Sequence, residues 1–231
     1  MWVQDRARPN VADAVTFSVA VRGCVRPGLG QQLLLAGSEG KIPLNLVSTV
    51  PLTNLAMTLI APPGRLSDFR IEAVAAELCS STVATLGNET YRLELLACFG
   101  RTLFGTQQVA WLHFKIPSGA SSAFLPLGLV DIAGHQEDGS PIANFAPQTG
   151  RVIVVGPEPL LEAVLSSNAP PGLLVYAEPG TTNVLQMKSY LDPGIPWLNG
   201  PIIRMPSNSP LYQVEPPVHP NGPLFIRGRR Q

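Results

Sequence analysis

Three histidines, His113, His135 and His219, are the side chains in this sequence best suited to acid–base work near neutral pH. His113 sits in the run VAWLHFKI, which reads as a strand, so it is an outward strand residue rather than a base. Asp131, His135, Glu137 and Asp138 form the densest polar cluster and carry the oxygen ligands a hard cation takes. Their spacing is not that of an EF-hand, and the cluster reads as a polar hairpin loop. No G-x-S-x-G, H-E-x-x-H or Walker loop is present. Gly28 and Gly30 lack the following helix that a phosphate site needs. No catalytic residue, metal ligand or cofactor is therefore assigned.

The cysteines are Cys24, Cys79 and Cys98, with no C-x-x-C pair. A hairpin turn centred on Asn88 and Glu89 sets Cys79 and Cys98 at equal distances from its tip. A cross-strand disulfide is one reading of that placement; two buried reduced thiols are the other. Cys24 stays free in either case. Asn88-Glu89-Thr90 is the sole N-x-[ST] sequon and falls on the exposed turn, so a glycan at Asn88 is sterically open. Among the aromatics, Tyr190, Trp197 and Tyr212 are candidates for stacking on the apolar face of a sugar.

The elements that must position these groups are short strands. The 24 prolines and 21 glycines are spread along the 231 residues, leaving few stretches in which a helix could run. Val15, Phe17, Val19 and Val21 alternate with polar or small residues, the mark of a half-buried strand over residues 13–22. Residues 23–31 read as a loop. Alternation resumes with Ile42, Leu44 and Leu46, then with Leu55, Met57 and Leu59, then with Tyr91, Leu93 and Leu95. Residues 69–78 fit either a strand or a short helix. Ile42, Leu44, Leu46, Leu55, Met57 and Leu59, together with Phe114 and Ile153, are the expected core. Residues 158–165, with proline at the start and acids beside it, favour one or two turns of helix or a linker. NAPPG at 168–172 marks a boundary. The expected organisation is an arm and strand at 1–29, a sandwich at 30–155, a linker or short helix at 156–171 and a small β module at 172–231.

Composition narrows the function. Charged residues are 14% of the chain, against roughly 25% in an ordinary soluble domain. The formal net charge is zero, so the basic field that nucleic-acid binding requires is absent. Arg227, Arg229 and Arg230 are too few to supply one. No run of about 18 apolar residues could cross a membrane as a helix. The first ten residues do not have the form of a secretory signal, so an exported protein would contain this chain as a mature form or a fragment.

Over residues 30–155 the pattern resembles the cohesin family of bacterial and archaeal surface β-sandwiches. The pieces that carry the resemblance are GKIPLNLVSTVPLTNLAMTLIAPPGRLSDFRI, VAWLHFKIPSGASSAFLPLGLVDI and DGSPIANFAPQTGRVIVV, in that order. It implies an all-β fold, an antiparallel sandwich of jelly-roll type, and a role in protein–protein contact. Cohesins bind calcium-containing dockerin modules, and no binding residue is carried over onto this sequence. LLVYAEPG, NVLQMKSYLDPGIPW and PLFIRGRR resemble the short β modules that end many large secreted bacterial proteins.

The expected function is non-enzymatic: a structural or adhesive protein of an extracellular or cell-surface assembly. Its partners would be other copies of itself or other surface proteins. The strand bearing Val15, Phe17, Val19 and Val21 is the candidate assembly strand, able to complete a neighbour's sheet and so build a fibre. The alternative is a carbohydrate-binding module that takes polysaccharide.

Overall fold

The computed structural model describes residues 2–4, 12–14, 23–164, 172–188, 194–215 and 225–231. Eighteen strands are formed among them, and no helix. The N-terminal pair, β1 (Trp2–Gln4) and β2 (Ala12–Ala14), makes a two-stranded antiparallel sheet bonded to no other sheet among the described residues. Val15, Phe17, Val19 and Val21 lie outside the described residues, as do Tyr190 and His219.

The next ten strands are β3 (Cys24–Leu29), β4 (Gln31–Leu35), β5 (Glu39–Ile60), β6 (Ser67–Ala73), β7 (Leu78–Gly87), β8 (Thr90–Ala97), β9 (Leu103–Lys115), β10 (Ala123–Gln136), β11 (Asn144–Phe145) and β12 (Gly150–Val155). They share one hydrogen-bonded network wrapped around one core. The long strand β5 serves both layers. Its first half pairs with β3 and β9, and its second half with β8 and β10. The register slips between Ser48 and Leu52, where the strand passes from one layer to the other. Ile42, Leu44 and Leu46 from one half meet Leu55, Met57 and Leu59 from the other, all in one cluster with Phe114. β4 and β12 close the sandwich as a parallel pair. At Gly150 the chains approach so closely that a Cβ would lie 2.7 Å from the carbonyl oxygen of Gly30.

Two expectations are corrected and one open alternative is resolved. Residues 24–29 are strand rather than loop: β3 pairs with β5 on one side and, among the described residues, bonds to the short β11, Ala146 and Gln148 on the other. Pro27 is tolerated because it sits on this poorly paired flank. The sandwich thus begins before residue 30. Residues 158–164, the described part of the segment expected as a helix or linker, do not form a helix. β13 (Leu160–Val164) pairs antiparallel with β14 (Gly172–Tyr176), so tertiary pairing overrides local helix preference. Residues 69–78, open between strand and helix, supply β6 and the start of β7.

The remaining strands are β15 (Thr182–Lys188), β16 (Leu198–Arg204), β17 (Leu211–Val214) and β18 (Phe225–Arg230). They build two three-stranded sheets, β13-β14-β17 and β16-β15-β18, around a second small core that includes Val175, Leu185 and Ile203. A third cluster joins this part to the sandwich. Ile153, Val155 and Tyr176 are buried together, with Leu33, Phe124, Leu160 and Leu174 packed against them. Ile153 is thus buried, but beneath the C-terminal strands; Val152 and Val154 are what β12 gives to the sandwich core.

Candidate protein-docking face

The sandwich has two outer faces of different character. On the first, the partners Lys41, His113 and Arg70 lie in one row across β5, β9 and β6, and Glu39 and Lys115 in the next. Lys115 reaches Asp68 at 3.1 Å and Glu39 at 3.6 Å, Arg70 reaches Glu39 at 3.5 Å, and Lys41 lies over the Trp111 ring. His113 Nε2 meets Glu72 at 2.7 Å with no nucleophile in its hydrogen-bond set among the described residues. Exposed pairs of this kind contribute little stability. What they do is keep that face hydrated.

The second face is the outside of the layer β7–β8–β5–β10. Strand pairing fixes its rungs: Ser80, Leu96, Asn54 and His135; then Thr82, Glu94, Ala56 and Ala133; then Ala84, Arg92, Thr58 and Val130. Arg92 and Glu94 are its only formal charges in these rungs, and they pair with each other at 3.7 Å. Arg92 also donates to the carbonyl of Asp131, and the backbone N–H of His135 donates to Asn54 Oδ1 at 3.0 Å. The polar groups are thus held flat against the sheet, and apolar side chains stand clear of it. Ile60, Leu86, Leu96 and Val130 are all exposed.

A groove of about 400 Å³ runs over this face between Asn54, Thr82, Arg92, Glu94, Leu96 and His135. At Leu96 it meets a second groove of about 420 Å³, lined by Thr53, Leu96, Phe99, Arg101 and Glu137. Phe99 is as exposed as in an extended chain, at 105%, and Leu96 is 50% exposed. The Phe99 turn is nevertheless fixed. Cys98 before it is bonded to Cys79, Gly100 after it takes positive φ (70°), and Arg101 N–H donates to the Cys98 carbonyl at 2.9 Å. A large aromatic on a pinned turn loses little conformational entropy when it is covered, which is the character of an interface anchor.

The hairpin that carries the disulfide is built differently from the simple register expected of it. Asn88 and Glu89 both adopt positive φ (49° and 57°), the geometry of a two-residue type I′ turn. Glu89 accepts from Gly64 N–H and Tyr91 Oη, each at 3.1 Å, and so tolerates the conformation. The ladder then slips twice, between Thr85 and Gly87 and between Leu78 and Ser80. The second slip leaves Cys79 outside the ladder, where it reaches Cys98. Asn88 is exposed at the tip, and Cys24 is free.

The other sequence candidates disperse. Asp138 caps the turn at 136–140, accepting from Ser140 N–H and Oγ, and Ser140 holds its carboxyl below the usual range. Asp131 sits at a register slip of β10 with φ 46°, and His135 turns to Asn54. Among the described residues no three His, Cys, Asp or Glu side chains converge as a metal site would need. The Trp197 ring is capped by the Arg227 guanidinium, 4.3 Å from its centre, with the Lys188 ammonium at 5.6 Å. Tyr212, on the other sheet, lines a cleft of about 580 Å³ with Ile202, Arg204 and Glu215. Trp197 and Tyr212 do not make a bare aromatic row. Sequence reasoning passed over Leu96 and Phe99. The signal was present: Leu96 breaks the inward row of Tyr91, Leu93, Leu95 and Ala97, and Phe99 stands between a cysteine and a glycine.

No family model matches the chain, and no curated protein matches it in sequence. Solved structures do. The chain is similar to a structure of a type I cohesin–dockerin complex from Clostridium thermocellum, with a TM-score of 0.51 and 11% identity over 57% of this chain and 99% of that one. It is also similar to CaCohA2 from Clostridium acetobutylicum, with a TM-score of 0.50 and 16% identity over 57% of this chain and 90% of that one. These likenesses establish a cohesin-like β-sandwich.

Proposed function

We propose that this cohesin-like sandwich is a non-enzymatic protein-binding module of an extracellular or cell-surface assembly, and that its partner docks on the outer face of β7–β8–β5–β10. The observation that carries the reading is the pinned Phe99 beside Leu96, where two grooves meet on the charge-poor face. Interfaces concentrate their energy in a few desolvated anchors surrounded by near-neutral contacts. The face has that composition, and the opposite face, covered in ion pairs, does not. A bonded pair of cysteines suits an oxidising compartment.

The neighbours supply a chemical class to test first, since one was solved in a complex with a dockerin. Titration calorimetry of this chain against dockerin modules in the presence of calcium is the experiment. Expected is one-to-one binding that Leu96→Asp or Phe99→Ser weakens by at least tenfold, or about 1.4 kcal/mol, with Tm unchanged. Binding that survives both substitutions would move the interface elsewhere, and no binding to any dockerin would require a partner of another class.

A second reading concerns assembly of like chains. Among the described residues Ala12–Ala14, the described part of the N-terminal strand, pairs only with Trp2–Gln4, and an isolated two-stranded hairpin is marginal in water. On this reading Val15, Phe17, Val19 and Val21 complete the sheet of another copy. Deleting residues 1–22 then abolishes assembly, and a peptide of residues 11–22 binds the truncated protein.

A further inference from the structure

We infer that the free edge of β7 is a homodimer interface, at which two copies join antiparallel through their β7 strands into one continuous sheet. β7 pairs only with β8, and among the described residues its other edge carries no backbone hydrogen bond between Cys79 and Gly87. A strand edge of this kind is a template for pairing, and proteins ordinarily blunt it with charge, proline or a cover. The edge of the opposite layer is blunted: β6 carries Asp68, Arg70 and Glu72. β7 reads LCSSTVATLG, ten residues with no charge and no proline.

The two slips in its register leave a regular run between them, from Ser80 to Thr85. The disulfide at one end and the ordered Asn88–Glu89 turn at the other hold this run in place on β8. Pairing across a two-fold axis must keep each residue on its own face of the sheet, so it matches positions of equal parity. Centred on Val83, it sets Val83 against its copy, Ser81 against Thr85 and Thr82 against Ala84. Val83 meets its own copy and Ser81 sets hydroxyl against Thr85 hydroxyl, combinations that favour cross-strand pairing, while Thr82 meets the small Ala84, with no like charges opposed. A second copy is therefore the occupant that the strand's own sequence fits. The contact is isologous and closes as a dimer. It shares Thr82 with the rim of the docking groove but does not use Phe99, so Phe99→Ser tells the dimer from the partner reading.

Sedimentation velocity over a wide concentration range tests the proposal. Expected is a concentration-dependent dimer of the full chain. The doubly substituted Thr82→Lys/Ala84→Lys chain should stay monomeric, as should Thr82→Glu/Ala84→Glu, each with the wild-type circular dichroism spectrum. Mixing the two should restore the dimer, because lysine then faces glutamate; two misfolded variants would not recover one another. Phe99→Ser should leave the dimer intact. A wild-type chain that is monomeric throughout, or substituted chains that dimerise as before, would overturn the inference. So would a dimer lost on deleting residues 1–22, which would assign assembly to the N-terminal strand.

Discussion

Tyr176 donates to Glu162 Oε2 at 2.6 Å, and Arg151 donates to Oε1 of the same carboxylate at 2.6 Å. These three side chains tie the sandwich to the C-terminal strands, beside the Phe124 ring that meets Tyr176 edge-on. The bond from Arg151, then that from Tyr176, holds the Glu162 carboxyl below its usual range. Burial, then the bond to Glu162, pushes the Tyr176 phenol up to about 12. The signs set the pH window. The Glu162 contribution is present above the ordinary carboxylate value and is lost as pH falls below it. The Tyr176 contribution is complete below the unfolded phenol value of about 10 and is lost as pH rises through about 12. Tyr176→Phe should cost about 1–2 kcal/mol near neutrality, since it removes a bond to a charged but partly solvated group. The difference in Tm between the two proteins should vanish at strongly alkaline pH. At the centre of the sandwich, Phe114→Ala should cost about 3–5 kcal/mol in denaturant unfolding. Phe114 was legible in the sequence because its strand alternates; Tyr176 was not assigned to this network, because its partners lie 14 and 25 positions back in the chain and no local pattern links them.

At the scale of elements, alternation is legible where a strand has one wet face, as in β8 with its buried Tyr91, Leu93 and Leu95. It fails where both faces are covered. Every residue of β12 except Arg151 is buried, so its sequence marks Ile153 as core but cannot say which of the two cores it serves. The β13 segment misleads for another reason: Leu160–Val164 has helix-forming residues, and only its distant pairing with β14 makes it strand. The docking face was hidden because it consists of what alternation discards, the outward residues. The β7–β8 hairpin offers a direct test. Cys79→Ala should lower stability by roughly 3 kcal/mol, the value expected for opening a loop of this size, and should raise proteolysis at the 98–102 turn. Thiol titration of the unfolded, unreduced wild-type chain should find Cys24 alone.

At the scale of the molecule, the C-terminal strands act as a lid on the sandwich. Truncation after Val155 bares Leu33, Phe124, Ile153 and Val155, a patch that an isolated domain would not leave open. The truncated protein should aggregate in light scattering, and adding Ile153→Thr with Val155→Thr should restore much of its solubility.

The parallel pair of β4 and β12 also sets a schedule. Gln31 finds its partner Arg151 only 120 residues later. At about 5–20 residues per second on a ribosome, closure waits on the order of ten seconds while Leu33, Leu34 and Leu35 have no companion strand. Refolding of the complete chain faces the same long loop closure and should be slow, in the range of milliseconds to seconds or beyond. Stopped-flow experiments should show Val154→Ala mainly speeding unfolding, because the last strand to arrive contributes least to the folding barrier. A chaperone that binds nascent leucine-rich segments would thus have its longest opportunity at the first strands of the sandwich rather than at its centre.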